Sequence, residues 1–355
     1  MKVSILTNGL TSGGSERVLS LLANYLAKKY DVELILLTED DIFYKVDSTV
    51  NLVLAYRACG STSMVKKFVW YRKYIKNSRP DIVIAFLNRV YSFAVLSTLG
   101  LGVPILASER NDPRYFSKLY KCLIRISLPF VKHLVVQTNY IRDYYPSFIK
   151  NKTTIIINPV NECVFNKVGG NYEQKKDYLI NVGRLYPQKN QKMLIDSFVY
   201  IHKKYPHFKL YIYGEGYLKD QLASHINKLG LDKCVILAGT TQKIYDRIAE
   251  SKALCMTSTY EGMSNVMMES ICLGTPVITT KVSGTDELIE NGKNGIIVST
   301  NNPKDYADMV ISYLNNPEPI NSALANNDFN KYRQEYIFNQ WENLINKIVN
   351  NGKVW

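Results

Sequence analysis

The chain has 355 residues, 46% of them hydrophobic, enough to bury the cores of two domains of ordinary size. No run of eighteen uninterrupted apolar residues occurs, so no spanning helix is indicated. The net charge of +13 is lopsided: residues 1–165 carry 22 Lys/Arg against 12 Asp/Glu, residues 166–355 carry 22 against 19. A basic first half suggests an anionic partner, whether nucleic acid, a phosphate-rich ligand or an anionic membrane surface.

In chain order, Met1–Leu10 runs directly into a strand pattern, without a signal-peptide core ahead of it. "KVSILTNGL" reads as a buried strand, "GGSERVLSLLANYLAKKY" as a helix and "DVELILL" as the next strand. "DIVIAFL", "VPILAS", "HLVVQT" and "TTIIIN" follow as short apolar runs with helical patterns between them. The polar "GGNYEQKKD", Gly169–Asp177, reads as a linker. The theme then resumes with "YLINVGRL", "FKLYIYG", "CVILAG", "ALCMTS", "PVITT" and "GIIV", and the chain finishes in the amphipathic "YRQEYIFNQWENLINKIVN". Such alternation argues for an α/β fold of parallel sheets covered by helices on both faces. Two units of this kind suggest two Rossmann-like domains facing each other across a cleft, with ligands at the carboxyl ends of the strands.

Metal and disulfide chemistry find no support in the spacing. The six cysteines form no CxxC pair, and the four histidines fit no metal-ligand pattern. The cysteines are expected to be reduced thiols of a cytosolic protein. No D-x-D motif is present, so no metal is called for. No nucleic-acid recognition motif is present either.

Three segments carry chemistry. In "NGLTSGG", Gly13 and Gly14 precede a helix, where glycine lets backbone amides approach a phosphate and a helix N-terminus favours an anion. The same glycines fit an ordinary strand-to-helix turn, and the dinucleotide fingerprint G-x-G-x-x-G, with its ribose acid, is missing. That disfavours a nicotinamide-dependent enzyme. In "NVGRLYPQKN", Arg184 and Lys189 stand at a strand's carboxyl end, placed for a diphosphate or left as solvated charges. In "TSTYEGMSNVMMESICLGTP", Glu261 and Glu269 are separated by seven residues. In one continuous helix they would point roughly 80° apart. Gly262 favours a loop instead, with Ser264 or Asn265 capping a helix that stops at Gly274. One carboxylate would then hold a ribose and the other a hexose, with the helix N-terminus toward a phosphate. The bland alternative is a surface charge and an ion pair, but it supplies no partner for Glu269 inside an apolar run.

The combination of "GGSERVL", "VGRLYPQKN", "YGEG", "EGMSNVMMES" and "GTPVITTKVSGTDELIENGKNGIIV" resembles glycosyltransferase family 4 over nearly the whole chain. The resemblance is nearest to bacterial N-acetylhexosaminyl transferases that build lipid-linked oligosaccharides, capsules or O-antigens. It implies a retaining enzyme of the GT-B fold. The implied domains are an acceptor-binding 1–165, a nucleotide-sugar-binding 166–328, and a helix over 329–355 that crosses back to the first domain. Arg184 and Lys189 match the pair on the donor diphosphate, Glu261 the hexose contact and Glu269 the ribose contact. Gly262, Met263 and Ser264 match the loop reaching hexose and phosphate, although many members have proline at the place of Ser264. Gly13 and Gly14 match a loop closing on the diphosphate, Gly214 and Gly216 a turn near the nucleotide. Gly239 and Thr240 open a segment that frames the base. Arg110 stands where many members carry a histidine, so no catalytic histidine is expected; Glu109 or Asp112 could assist, or serve as a cap and an ion pair.

The expected reaction follows. A UDP-sugar donates a hexose or N-acetylhexosamine to a polyprenyl-diphosphate-linked saccharide, without metal or other cofactor, by same-face displacement. Arg184, Lys189 and helix amides stabilise the leaving diphosphate. A glycosidase-like carboxylate pair is weaker, because both glutamates lie in the second half. Arg114, Lys118, Lys121 and Arg125 recur at the spacing of one helix face, and "KKFVWYRKYIKNSR" is basic and aromatic. Both could meet an anionic bilayer or a lipid diphosphate, or be solvated faces, and Arg110 is counted with Arg114, Lys118, Lys121 and Arg125 as a cation for the acceptor or membrane. The expected location is cytoplasmic, peripheral on the inner face of the cell membrane. The alternatives are a non-catalytic sugar-nucleotide-binding protein and a GDP-sugar transferase.

Overall fold

A computed structural model describes residues 1–11, 13–38, 42–167, 172–325 and 328–352. Contacts divide the chain into two compact units, residues 1–159 with 335–355, and residues 160–334.

The first unit holds seven strands: β1 (Lys2–Thr7), β2 (Asp31–Leu36), β3 (Asn51–Leu54), β4 (Ile82–Phe86), β5 (Ile105–Ser108), β6 (His133–Val136) and β7 (Thr153–Ile155). Their order in the sheet is β3-β2-β1-β4-β5-β6-β7, and every pairing is parallel. Parallel strands need helices on both faces, which is why these segments read as near-continuous apolar runs. β3, "NLVL", was not among the expected strands. It is an edge strand, largely half-buried, too short to stand out.

On one face, helix Gly14–Ala27 and the C-terminal helix Gln334–Gly352 close the core over Ile5, Ile84, Phe86, Leu106 and Val135. Trp341 is fully buried and stacks on Phe86 at 5.6 Å between ring centroids. Glu342 ties the same helix down, accepting from Lys29 Nζ at 2.9 Å and from the Tyr30 hydroxyl at 2.8 Å. The other face is covered by helices Met64–Ser78, Asn88–Thr98 and Lys118–Ser127.

The second unit holds β8 (Lys176–Val182), β9 (Lys209–Tyr213), β10 (Val235–Gly239), β11 (Ser251–Met256), β12 (Val277–Thr280) and β13 (Gly295–Val298). The order is β10-β9-β8-β11-β12-β13, again all parallel. This is the doubly wound order, in which the chain winds outward to one side of its first strand and then returns to the other. The direction reverses between β8 and β11, so loops leaving these two strands part around a natural binding crevice.

The expected linker resolves differently. Gly169 and its neighbours to 171 lie outside the described residues, and the rest of the segment belongs inside the second unit. Tyr172–Gln174 is a 3-10 turn, and Lys176 and Asp177 already open β8. Lys175 is buried, donating to Ala249 O at 2.7 Å and Thr275 Oγ1 at 2.8 Å. The polar composition marks the hydrated start of a strand.

Candidate functional site

The reversal point of the second unit gathers the residues singled out in its sequence. β8 ends at Val182, and the chain leaves through Gly183 and Arg184. Leu185 is fully buried and anchors the loop. Pro187–Lys189 forms a 3-10 turn, and Asn190 at φ 47° turns the chain into helix Gln191–Lys204. Asn is one of the few residues that occupies this left-handed region at small cost. Gly183 is bare where a Cβ would lie 3.2 Å from the Lys189 side chain, so the lysine can fold back over the strand end.

From β11 the chain leaves through the buried Thr257 and Ser258 to Glu261. The two exit loops are laced together: Thr259 N donates to Gln188 O at 2.8 Å, Gln188 Nε2 to Tyr260 O at 2.9 Å and Thr257 Oγ1 to Asn190 O at 2.9 Å. Within this frame Lys189 Nζ meets Glu261 Oε1 at 2.5 Å, and Ser258 Oγ donates to the same oxygen at 2.7 Å. The lysine side chain is 17% exposed and the glutamate 9%. Both partners are mostly out of water, and a charge-assisted hydrogen bond runs shorter than a neutral one. The Arg184 guanidinium stays exposed, 5.3 Å from the Tyr186 ring, with no ion pair among the described residues. It remains available to an anion.

Gly262, Met263 and Ser264 are buried in the next turn, and Ser264 stands at the N-cap of helix Asn265–Cys272. The serine hydroxyl faces Met256 Sδ at 3.8 Å and makes no capping bond, leaving the first amides of this helix uncapped by that side chain. Gly274 at φ 68° ends the helix. Glu269 lies just over a turn inside, buried, and accepts from the Tyr245 hydroxyl at 3.3 Å. The two glutamates therefore differ in kind: one is an ion-paired loop residue, the other a helix residue bonded to a phenol.

Gly214 and Gly216 make a close backbone approach. A Cβ on Gly214 would stand 2.0 Å from Gly183 O, and one on Gly216 would stand 2.4 Å from Leu185 O. Their absence lets the β9 exit press on the β8 exit, where Leu185 N donates to Glu215 O at 2.9 Å. Gly239 sits at φ 65° at the end of β10, followed by an exposed Thr240. Sequence reasoning missed Ser258, Gln188 and Gly183. Ser258 stands three residues before Glu261 and Gln188 next to Lys189, positions whose value shows only once the two loops are seen laced.

In the first unit Gly13 precedes helix Gly14–Ala27 in extended backbone, and the Glu16 carboxylate turns back over it. Ser12 of the same loop lies outside the described residues. The basic stripe is a correction. Arg114 is on a 3-10 turn, Pro113–Tyr115, and the helix starts only at Lys118, capped by Ser117. Arg114 stacks on Tyr140 at 3.8 Å and pairs with Asp112 at 3.3 Å, while Lys121 Nζ donates to Arg114 O at 2.7 Å. Asp112 caps the turn, accepting from Arg114 N at 3.0 Å. The outward groups of the helix are Lys118, Leu119, Cys122, Arg125 and Ile126, followed by the exposed Phe130. Arg110 and Glu109 are both buried after β5.

Comparison with known proteins agrees with these features. A profile of the Glycosyltransferase Family 4 matches residues 12–162, and one of the Glycosyl transferases group 1 matches residues 166–333. The chain is 28% identical over 362 residues, covering 99% of both chains, to a Campylobacter jejuni protein named GalNAc-alpha-(1->4)-GalNAc-alpha-(1->3)-diNAcBac-PP-undecaprenol alpha-1,4-N-acetyl-D-galactosaminyltransferase. A second Campylobacter jejuni transferase, named for adding N-acetylgalactosamine to an N-acetylgalactosamine-N,N'-diacetylbacillosaminyl-diphospho-undecaprenol, is 29% identical, with 85% of this chain and 87% of that one covered. Among solved structures, Anabaena HepE in complex with UDP superposes with a TM-score of 0.80 at 17% identity, covering 98% of this chain and all of that one. The overall fold is the GT-B fold expected from the sequence.

Proposed function

Because the chain belongs to the glycosyltransferases, with a family 4 first half and a group 1 second half, we propose that it transfers an N-acetylhexosamine or hexose from a UDP-sugar to a lipid-diphosphate-linked saccharide, with retention. The observation that carries this reading is the Lys189–Glu261 pair, held by Ser258 at the strand reversal of the second unit beside an unpaired Arg184. The relatives' names and the UDP-bound neighbour support the donor and acceptor classes.

In this reading the diphosphate takes Arg184 first, since that cation has no carboxylate to leave. Lys189 then shares its charge between Glu261 and a phosphate oxygen. As the sugar–oxygen bond breaks, negative charge grows on the diphosphate. The two cations and the amides at the start of helix Asn265–Cys272 meet it without reorganising. Glu261, released in part from Lys189, faces the hexose. Glu269 holds the ribose, its orientation set by Tyr245. The acceptor hydroxyl attacks from the face the diphosphate leaves, and a departing phosphate oxygen takes its proton.

The first unit supplies a second element of the reading. Leu119, Ile126 and Phe130 are 66%, 51% and 59% exposed, beside the cations Lys118 and Arg125. Apolar side chains ringed by cations suit an anionic bilayer surface, where lipid-linked acceptors reside. Among the described residues no helix is long and apolar enough to cross a membrane, so the proposed association is peripheral.

The test is turnover of a donor panel with an undecaprenyl-diphosphate-linked saccharide. UDP-N-acetylgalactosamine, UDP-N-acetylglucosamine, UDP-glucose and GDP-mannose would be compared at equal concentration. The reading expects product from a UDP-sugar, undiminished by EDTA. Turnover only with GDP-mannose would replace the donor, and UDP binding without turnover of any donor would make the protein a sugar-nucleotide binder.

A further inference from the structure

The carboxyl edge of the first unit's sheet carries an unusual group of buried donors. Ser108 closes β5, and Arg110 follows two residues later, so strand alternation sends both side chains to the same face. Ser108 pairs with Phe86 on one side and Val135 on the other, and Gln137 lies two residues beyond Val135 on that same face. Trp341 of the C-terminal helix stacks on Phe86 there. The Arg110 guanidinium lies 4.7 Å from the Phe86 ring and 5.3 Å from the Trp341 ring, and its Nη1 donates to Asn158 Oδ1 at 2.9 Å.

The remaining hydrogen-bonding groups are unmatched. Arg110 Nε and Nη2, Gln137 Nε2, Trp341 Nε1 and Ser108 Oγ are buried without a partner. Four of these five atoms can only donate. Among the described residues no ion pair offsets the guanidinium, and only the Glu109 carboxyl acts on it, through space. Glu109 is the neighbour in sequence, but alternation sends it to the opposite face, where it accepts from the Tyr91 hydroxyl at 3.2 Å and from the amides of Arg110 and Asn111. Arg110 itself is 6% exposed, so the group lies just beneath the surface. A buried cation is ordinarily paired, and buried donors are ordinarily satisfied. A water could satisfy some of these donors but would leave the charge without a paired anion.

We propose that Arg110, with Gln137, Trp341 and Ser108, forms an oxyanion site of the phosphate class in the first unit. An oxyanion supplies what the cluster lacks: several acceptor oxygens and a negative charge, with no proton of its own to place. The fork of the guanidinium offers Nε and Nη2 side by side, the geometry that grips two oxygens of one phosphate. Burial pulls the guanidinium down to about 9, and the neighbouring Glu109 carboxyl opposes this only in part. Arg110 and its neighbours belong to the first unit, whereas Arg184 and Lys189 belong to the second. It deepens the acceptor reading above, because the oxyanion would come either from the acceptor's diphosphate or from free phosphate.

The probe is inorganic pyrophosphate, measured by calorimetry on the full chain. Arg184→Ala removes the exposed donor cation, and Arg184→Ala with Arg110→Gln removes both. Pyrophosphate is expected to bind the first variant and to bind the second ten- to a hundredfold more weakly. Gln137→Leu, which keeps the cation and its aromatic stacking, is expected to weaken binding severalfold and covers the case in which the arginine variant does not fold. Equal affinity in the presence and absence of Arg110, or in Gln137→Leu and its parent, would overturn the proposal and leave Arg110 a strut between two rings. The source is read from the same proteins with sugar acceptor present. Competition between pyrophosphate and the lipid-linked acceptor, with a raised acceptor KM in Arg110→Gln, assigns the site to the acceptor's diphosphate. Binding without competition assigns it to free phosphate. Loss of donor turnover with Arg110-dependent binding intact would count against the proposed reaction and not against this site.

Discussion

Glu261 and Glu269 illustrate how two carboxylates eight positions apart acquire different duties. Glu269 meets Tyr245 inside a helix, and the proposed ribose contact there would be the same before and during reaction. Glu269→Gln is therefore expected to raise the donor KM about tenfold while kcat changes little. Glu261 neutralises Lys189 as well as facing the proposed hexose. Glu261→Gln is expected to lower kcat by about ten- to a hundredfold, because it loses a transition-state contact and the partner that positions the lysine. Initial rates across donor concentration separate the two, and two near-wild-type variants would make both glutamates structural. A second expectation concerns Glu109, fully buried and pushed by burial up to about 7 against the pull of two amides. Its folded state holds a proton that the unfolded chain releases near 4.5. Stability from this group is thus full below that value and is lost as pH rises to about 7, with a slope of up to ~1.4 kcal/mol per unit. His133, lowered to about 4 by burial, acts oppositely as pH falls through its range. The difference between wild type and Glu109→Gln isolates the first effect: denaturant titrations should show the variant gaining on wild type from pH 5 to pH 8. A constant difference would show that Glu109 is ionised throughout.

At the scale of elements, helix Lys118–Ser127 presents its outward cations and apolar groups together. Lys118 and Arg125 are exposed, whereas Arg114 and Lys121 are engaged with the protein itself. Reversing Lys118 and Arg125 to glutamate should weaken sedimentation with anionic vesicles by roughly 1 kcal/mol for each cation removed, and salt should weaken the wild type likewise. Reversing Lys121 alone should cost stability first. Equal sedimentation of the double variant and wild type would remove the membrane face. The stripe itself was only half legible in sequence. The spacing of its four cations fits a helix, but Pro113 starts a separate 3-10 turn and Ser117 caps the helix anew, so Arg114 is off the face. The long strands were legible because both faces of a parallel sheet are covered, leaving apolar runs without alternation. β3 was not, since an edge strand buries little. Gly169–Asp177 misled because the polar opening of β8 resembles a linker in composition. In the loops leaving β8 and β11, Arg184, Lys189 and Glu261 could be picked out by charge beside glycine. Their lacing by Gln188 and Ser258 depends on β8 and β11 being neighbours, an order that the sequence does not print.

The whole molecule is two doubly wound units whose chain returns at its end to the first. The C-terminal helix contributes Ile337, Phe338, Trp341 and Ile345 to the first unit's core, and all four are essentially buried. Trp341→Ala would open a void over Phe86 and remove one face of the Arg110 stack, at a cost of about 3–5 kcal/mol. Thermal unfolding should show that loss, with UDP affinity at the second unit retained. Unchanged stability would mean that the helix is held by Glu342 and its partners alone. Charge divides along the same line, with the basic half carrying the proposed membrane face and oxyanion site and the nearly neutral half carrying the proposed nucleotide loops. The central claim is retaining transfer from a UDP-sugar in which protein cations, without metal, receive the departing diphosphate. The most direct measurement is the NMR anomeric configuration of the first product formed from an α-linked UDP-sugar and a lipid-linked acceptor in EDTA. The account predicts an α-linked product formed at the rate seen without chelator. A β-linked product, or formation abolished by EDTA and restored by Mg²⁺ or Mn²⁺, would contradict it.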